Sequence, residues 1–247
     1  MMSIGWLPAP FAAPPGVCAG VTTRAGGTSV GALGTFNLAA HVGDASACVA
    51  ENRARLRAAL SLPSEPLWLA QVHGIQVHVD DGGKGPTVPC DAAVTAVPGR
   101  VLAVLTADCL PVVLVSRDGQ RLGVAHAGWR GLVGGVLEAT VAAMGGVGDG
   151  LLAWLGPAIG PAAFEVGAEV RAAFVSACAG DAVGFVPNPR GRWQADLALL
   201  AQRRLARVGV AAVTASGWCT AADPQRFYSH RRDPASGRMA TLVWRHD

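Results

Sequence analysis

Residues 106–131, TADCLPVVLVSRDGQRLGVAHAGWRG, constrain the fold more than any other stretch of this chain. Two short apolar runs rich in β-branched residues, 112–115 and 122–125, flank the polar segment SRDGQ. Runs of that composition between turn residues read as strands. The Asp118-Gly119 dipeptide favours a tight hairpin turn. A turn centred between Arg117 and Asp118, or one residue later, brings Cys109 within about two residues of a position opposite His126. A thiolate and an imidazole held that way can share a metal ion or act as a nucleophile–base pair. The bland alternative is a buried small cysteine and an ordinary strand-end histidine. Asp108 before the cysteine, and the Ala-Gly-Trp-Arg-Gly turn after the histidine, weigh toward a site.

The 247-residue length is ample for a sizeable core and allows one large domain or two small ones. Hydrophobic residues at 51% against charged residues at 15% argue for a globular, enzyme-like chain and against disorder. A net charge of +3 without a Lys/Arg run gives no case for nucleic acid. No apolar run reaches membrane-spanning length, because 101–115 is broken by Asp108 and Pro111. The N-terminus lacks a basic region before an apolar core, so no signal peptide is expected. Six scattered cysteines without a CxxC pair suggest neither a disulfide framework nor a zinc finger, and point to a reducing cytoplasm.

Taken in order, 17–23 reads as a strand leading into the Gly-rich loop TRAGGTS, where Arg24 could meet an anion. That loop matches neither GxGxxG nor the Walker pattern. Asn37 and His41 follow, and Asp44 is placed to cap a helix ending near Leu60. Arg53 and Arg57 share one face of that helix, read as solvated. Strands are expected over 67–72 and 75–79, with His73-Gly74 at their junction. His73 beside Cys109 and His126 would complete a His₂Cys set, whereas His78 alternates outward and is a weaker candidate. Further strands are expected at 91–95, 101–105, 151–155, 210–215 and 239–244, and a Gly/Pro-rich loop at 80–89. Helices are expected at 132–144, at 166–178 with Glu165, Glu169 and Arg171 exposed, and at 197–208 capped by Asp196. Arg203, Arg204 and Arg207 then fall on the polar face of the last helix, and 182–192 is loop. Arg231 and Arg232 before Asp233 form either ion-paired structure or an anion pocket. Irregular alternation of strands and helices favours a mixed α/β (α+β) fold, with no internal repeat and no boundary within 1–247.

The segments TRAGGTS, NLAAHVGD, QVHG, TADCLPV, HAGWRG, GPAIGP, WCT and FYSHRRD occur in one order across nearly the whole chain. Together they resemble the YfiH family, long called multicopper polyphenol oxidoreductase or laccase-domain proteins and now regarded as zinc-dependent purine nucleoside phosphorylases. The resemblance implies a single domain of layered mixed sheets and helices. It implies Zn²⁺ (alternatively Cu²⁺) held by His73, Cys109 and His126, with Arg24, Asn37, His41, Arg130 and Arg231 near the substrate. It also implies phosphorolysis of adenosine, inosine and methylthioadenosine, and deamination of adenosine. His230 departs from the family, which usually carries an aromatic residue there.

Three protein ligands leave a zinc position open, the arrangement of a catalytic site. The HxE…PCxxC pattern of cytidine-type deaminases is absent. A multicopper oxidase needs paired HxH motifs for a trinuclear cluster, and the six histidines of this chain contain none. A single copper in the His₂Cys set is compatible with the residues. A metal-free hydrolase using Cys109 and His126 is a further alternative, and a non-enzymatic interaction protein is another.

Overall fold

The computed structural model describes residues 4–145 and 148–246. Its strands are β1 (Trp6–Pro8), β2 (Val17–Thr22), β3 (Leu67–Trp68), β4 (Val77–Asp80), β5 (Ala92–Thr95), β6 (Val101–Thr106) and β7 (Leu110–Ser116). They continue as β8 (Leu122–Ala127), β9 (Leu151–Leu155), β10 (Glu165–Val166), β11 (Phe185–Pro187), β12 (Trp193–Ala195), β13 (Ala212–Ala215) and β14 (Met239–Arg245). The helices are α1 (Ser46–Leu60), α2 (Trp129–Gly134), α3 (Val136–Ala143), α4 (Ala168–Ala177) and α5 (Leu197–Arg207). Two mixed sheets dominate, ordered β1-β2-β14-β6-β3 and β13-β9-β7-β8-β5-β4, beside a small β10-β12-β11 sheet. No helix among the described residues is long and apolar enough to cross a membrane.

Side-chain alternation along the central strands shows how the layers stack. On β6, Leu102 and Val104 join a core with Val113, Val115, Leu122, Val124 and Trp154, which lies between the two large sheets. Val101, Ala103 and Leu105 face the other way, toward Phe36, Leu38 and Leu56 of the α1 layer. On β7, Leu110, Val112 and Leu114 pack against α2, α3 and α5. Both faces of each large sheet are therefore covered, which explains strands that are apolar throughout rather than alternating. Even-numbered residues of β6 and β8 look into the inter-sheet layer, and Thr106 and His126 end those two series.

Several sequence expectations are corrected. Asp44 does not cap α1: its carboxylate accepts from Ser29 Oγ at 2.6 Å and Asn37 Nδ2 at 2.8 Å, so it ties two loops together. Residues 69–76 leave the strand conformation because the amides of 72–74 bind a carboxylate instead of a neighbouring strand. The expected helix over 132–144 breaks at Gly135, whose φ of 102° lies in the left-handed region that favours glycine. Helix α4 starts late because Glu165 and Val166 pair with β12. Glu165 is not free on the surface but binds Arg190 and Asn188, and Arg171 stacks 4.3 Å above Trp193. The 182–192 loop carries the short strand β11.

Arg53 is half-buried, donating to Leu38 O and stacking 4.1 Å over Trp68. The arginines of α5 are not a solvated face either. Arg204 is buried against Glu138 at 2.7 Å, and Arg203 and Arg207 both reach the buried Asp181. By contrast, Asp196 does cap α5, accepting from Leu199 N at 2.9 Å.

Candidate functional site

The β7–β8 register, Val115↔Leu122 through Leu110↔Ala127, centres the turn between Asp118 and Gly119. Gly119 takes a φ of 71° there, and its amide closes the turn on Ser116 O at 2.8 Å. Pro111 consequently faces His126, and Cys109 lies just beyond the strand end, two residues from direct opposition. His73 arrives from the loop before β4. Its Nε2 lies 3.8 Å from Cys109 Sγ, and its ring is edge-on to that of His126 with centroids 4.7 Å apart. One ligand atom from each of the three residues falls within 4.8 Å of the others, the only such grouping of three among the described residues.

Asp91 holds this set in place. Its fully buried carboxylate accepts from the amides of Val72 (3.1 Å), His73 (2.9 Å) and Gly74 (2.7 Å), and from His126 Nδ1 at 2.7 Å. Its own carbonyl accepts the amide of His126 at 2.7 Å. One side chain thus folds the His73 loop, in which His73 has a φ of 61°, and orients the His126 ring. A proton on His126 Nδ1 directed at the carboxylate leaves Nε2 with its lone pair toward Cys109 and His73, as in metal-binding histidines whose other nitrogen donates to a carboxylate. Burial would raise the Asp91 carboxyl, but His126 and the loop amides outweigh it and hold it below the ordinary range.

Asp108 fixes the cysteine side. It occupies a left-handed conformation, φ 88°, unusual for a non-glycine residue. Its buried carboxylate accepts from Thr220 Oγ1 (2.5 Å), Ser229 Oγ (3.0 Å) and Arg231 N (2.7 Å), drawing WCT and FYSHRRD against TADC.

The donor set fits a soft-to-borderline divalent ion. Tetrahedral zinc with one sulfur and imidazole nitrogens spaces donors about 3.5 Å apart, close to the 3.8 Å seen between His73 and Cys109. Burial would raise the Cys109 thiol, yet hydrogen bonds from His126 and His73 bring it down to about 6. Burial would lower His126, but Asp91 and Cys109 push it up to about 9. The sulfur is thus a ready thiolate at neutral pH.

Gly128 is required by close approach: a Cβ there would lie 2.9 Å from His73 Cδ2 and 3.0 Å from Cys109 Sγ. Its φ of −60° is open to alanine, so Gly128→Ala should leave the fold intact and push the two donors apart. Zinc affinity, measured by competition with a chromophoric chelator, is expected to fall by about tenfold or more, as for other disturbances of a metal's supporting shell. Unchanged affinity would show that these two donors do not take these positions around the metal.

The three donors open into a cavity of ≈200 Å³ lined also by His41, Gln71, Thr106, His230 and Arg238. Of the residues named from the sequence, His73, Cys109, His126 and His41 meet at this cavity, and four do not line it. Arg24 spends its guanidinium on the carbonyls of Gly34 and Pro224 and stacks 4.9 Å over Tyr228. Asn37 is fully buried, bridging Ala39 and Asp44 and accepting Arg238 N at 3.0 Å. Arg130 is exposed and lies over Trp129 at 4.4 Å. Arg231 is exposed and reaches Ala163 O at 3.2 Å, while Arg232 staples the 220–227 segment through Thr220 O, Ala221 O and Phe227 O.

Sequence reasoning passed over Asp91, Thr106 and Arg238 as site residues. The QVHG motif hinted at Gln71, whose amide binds both backbone groups of Leu105, at 2.7 and 2.8 Å, and locks the His73 loop to β6. A larger, mostly apolar groove of ≈490 Å³ lies elsewhere, between residues 156–163 and 215–222. It holds none of the three donors, so size does not locate the chemistry here.

Residues 18–246 match the family model described as multi-copper polyphenol oxidoreductase laccase. A relative from Xylella fastidiosa (strain 9a5c), named purine nucleoside phosphorylase, is 51% identical over 96% of each chain. The Escherichia coli (strain K12) relative, named purine nucleoside phosphorylase YfiH, is 47% identical over 94% of this chain and 95% of its own. Among solved structures, a Neisseria meningitidis protein superposes with a TM-score of 0.92 at 41% identity, covering 98% of this chain and 100% of its own. YlmD from Geobacillus stearothermophilus gives a TM-score of 0.86 at 30% identity, covering 98% of this chain and 97% of its own.

Proposed function

The chain belongs to the multi-copper polyphenol oxidoreductase laccase family, to which the YfiH proteins are related, and from that premise we propose that it is a zinc-dependent purine nucleoside phosphorylase. The observation that carries this reading is the convergence of His73, Cys109 and His126 at the floor of a small cavity with no carboxylate in its wall. Its substrates are adenosine, inosine and methylthioadenosine together with phosphate, and hydrolytic deamination of adenosine is a secondary activity. Zinc bound by these donors would supply Lewis acidity at the reacting oxygen.

The chain's own residues do the positioning. Asp91 keeps the proton of His126 on Nδ1, and Gln71 and Asp91 together fix the His73 loop. In phosphorolysis a phosphate oxygen bonds to C1′ as the C1′–N9 bond breaks. The electron pair leaves with the purine, which takes up a proton, giving ribose 1-phosphate and free base. The cavity is smaller than the roughly 300 Å³ at which drug-sized sites begin. It therefore suits phosphate and the ribose end, with the base toward the rim at the exposed His230.

A second reading has its own observation: Cys109, His126 and Asp91 are linked in the order of a cysteine-hydrolase triad. The test is adenosine turnover with and without phosphate, on protein whose zinc and copper are quantified. Adenine appearing only with phosphate, at about one zinc per chain and lost on chelation, supports the phosphorylase. Phosphate-independent inosine would make deamination the main activity. Turnover surviving complete metal removal would favour the hydrolase, and phenol oxidation by copper-loaded protein alone would favour an oxidase.

A further inference from the structure

The cavity that holds the metal donors also carries a cationic side chain. Met239, the first residue of β14, pairs in register with Thr106 at the end of β6, and Arg238, one residue before it, lines the cavity at that strand end.

Arg238 is half-buried. Its Nη1 donates only to the carbonyls of Ser236 (2.5 Å) and Gly237 (3.0 Å) of its own turn. No carboxylate pairs with it among the described residues, whereas Arg204, the more deeply buried arginine of α5, has Glu138 at 2.7 Å. The opposite charges that act on it are Cys109 and Asp108, neither of them in an ion pair with it among the described residues, and an anion in the cavity would complete the site. His41, lining the same cavity, is kept toward its neutral form by burial and by the nearby Arg238 and Arg53.

We propose that Arg238 and His41 form the phosphate subsite, holding the anion in the cavity that His73, Cys109 and His126 share. This deepens the phosphorylase reading and rests on it for the identity of the anion. Guanidinium presents planar paired donors suited to phosphate oxygens. Arg24 and Arg231 are poorer choices, since one is committed to backbone carbonyls and both stand outside the cavity. The main-chain bond from Arg238 N to Asn37 Oδ1, at 3.0 Å, places the residue and does not depend on its side chain. The base-binding rim is thereby left to His230.

Phosphate is titrated against saturating inosine in wild type, Arg238→Met and Arg238→Lys, each assayed for zinc content. Binding of inorganic phosphate is measured in parallel by isothermal titration calorimetry. In Arg238→Met, kcat/KM for phosphate should fall about 100-fold, as loss of a charge-assisted bond predicts. Inosine KM and zinc stoichiometry should stay within about twofold, and Arg238→Lys should recover part of the loss. An Arg238→Met protein that is zinc-loaded and binds phosphate like wild type overturns the subsite, even if wild type is a phosphorylase. Wild type without phosphorolysis but with Arg238-dependent phosphate binding leaves the subsite standing and sinks the phosphorylase reading instead.

Discussion

Asp91→Ala is expected to lower the unfolding free energy by roughly 3–5 kcal/mol and to leave the protein without stoichiometric zinc. The magnitude is that of removing one partner from a buried ion pair or charged network. Four donors, the amides of 72–74 and His126 Nδ1, would lose their acceptor at once where the Asp91 carboxylate is fully buried. Two effects follow from one substitution. The His73 loop loses the anchor that keeps His73 at φ 61°, and the His126 ring loses the group that sets its tautomer.

Asp91→Asn separates them. The asparagine nearly fills the same volume, but its NH₂ must face either loop amides or His126 Nδ1. When it faces the ring, His126 carries its proton on Nε2, the atom aimed at the metal. Stability should then drop less than in alanine, while zinc affinity falls about 10- to 100-fold. The acid limb of stability gives an independent check. The folded-state carboxyl lies below its ordinary value of about 3.9. Its contribution is therefore complete above that value and is lost as pH falls through the folded one. Denaturant unfolding across acidic pH should show a shallower acid loss in Asp91→Ala than in wild type. An alanine variant as stable as wild type, with one zinc per chain, would remove Asp91 from this role.

The sequence exposed the parts of the site that local rules govern. Asp118-Gly119 between two β-branched runs specified the hairpin, and the register followed within the stated one-residue margin. Cys109 and His126 are neighbours for that reason alone, and Asp196 is a cap because capping is decided within four residues. His73 stands as a candidate third ligand from its place before Gly74, but only the resemblance of QVHG to a known family commits it to the set. Asp91 and Arg238 are 35 and 112 residues from His126, and an ordinary Asp before a strand or Arg after a glycine carries no local mark. The arginines misread as solvated failed for a related reason. Helical periodicity shows that Arg203, Arg204 and Arg207 leave the apolar stripe, but it cannot show that Asp181 and Glu138 wait on the other side. Arg24, in a Gly-rich loop, has the appearance of an anion binder and is used to close that loop on Gly34 instead.

Cys109→Ser should abolish phosphorolysis by about 10³-fold or more while leaving the fold in place, since the thiol is half-buried beside the strand end and oxygen is smaller than sulfur. The size follows from losing several kcal/mol of Lewis-acid stabilisation at about 1.4 kcal/mol per factor of ten. A hydrolase using Cys109 as nucleophile would lose activity too, so proton release on metal uptake is the discriminating measurement. In the metal-free chain the thiol lies at about 6 and His126 at about 9, so near pH 7.5 the sulfur is already ionised and the imidazole carries the extra proton. Zinc needs both groups deprotonated. Its binding near pH 7.5 should therefore release about one proton, from His126, seen as a dependence of calorimetric heat on buffer ionisation enthalpy. Release should rise above one proton as pH falls below 6, where the thiol is protonated as well, and zinc affinity should weaken over the same range. A wild-type release of two protons at pH 7.5 would mean that the thiol and the imidazole are both protonated in the metal-free site, and the thiolate–imidazolium assignment would fall with it.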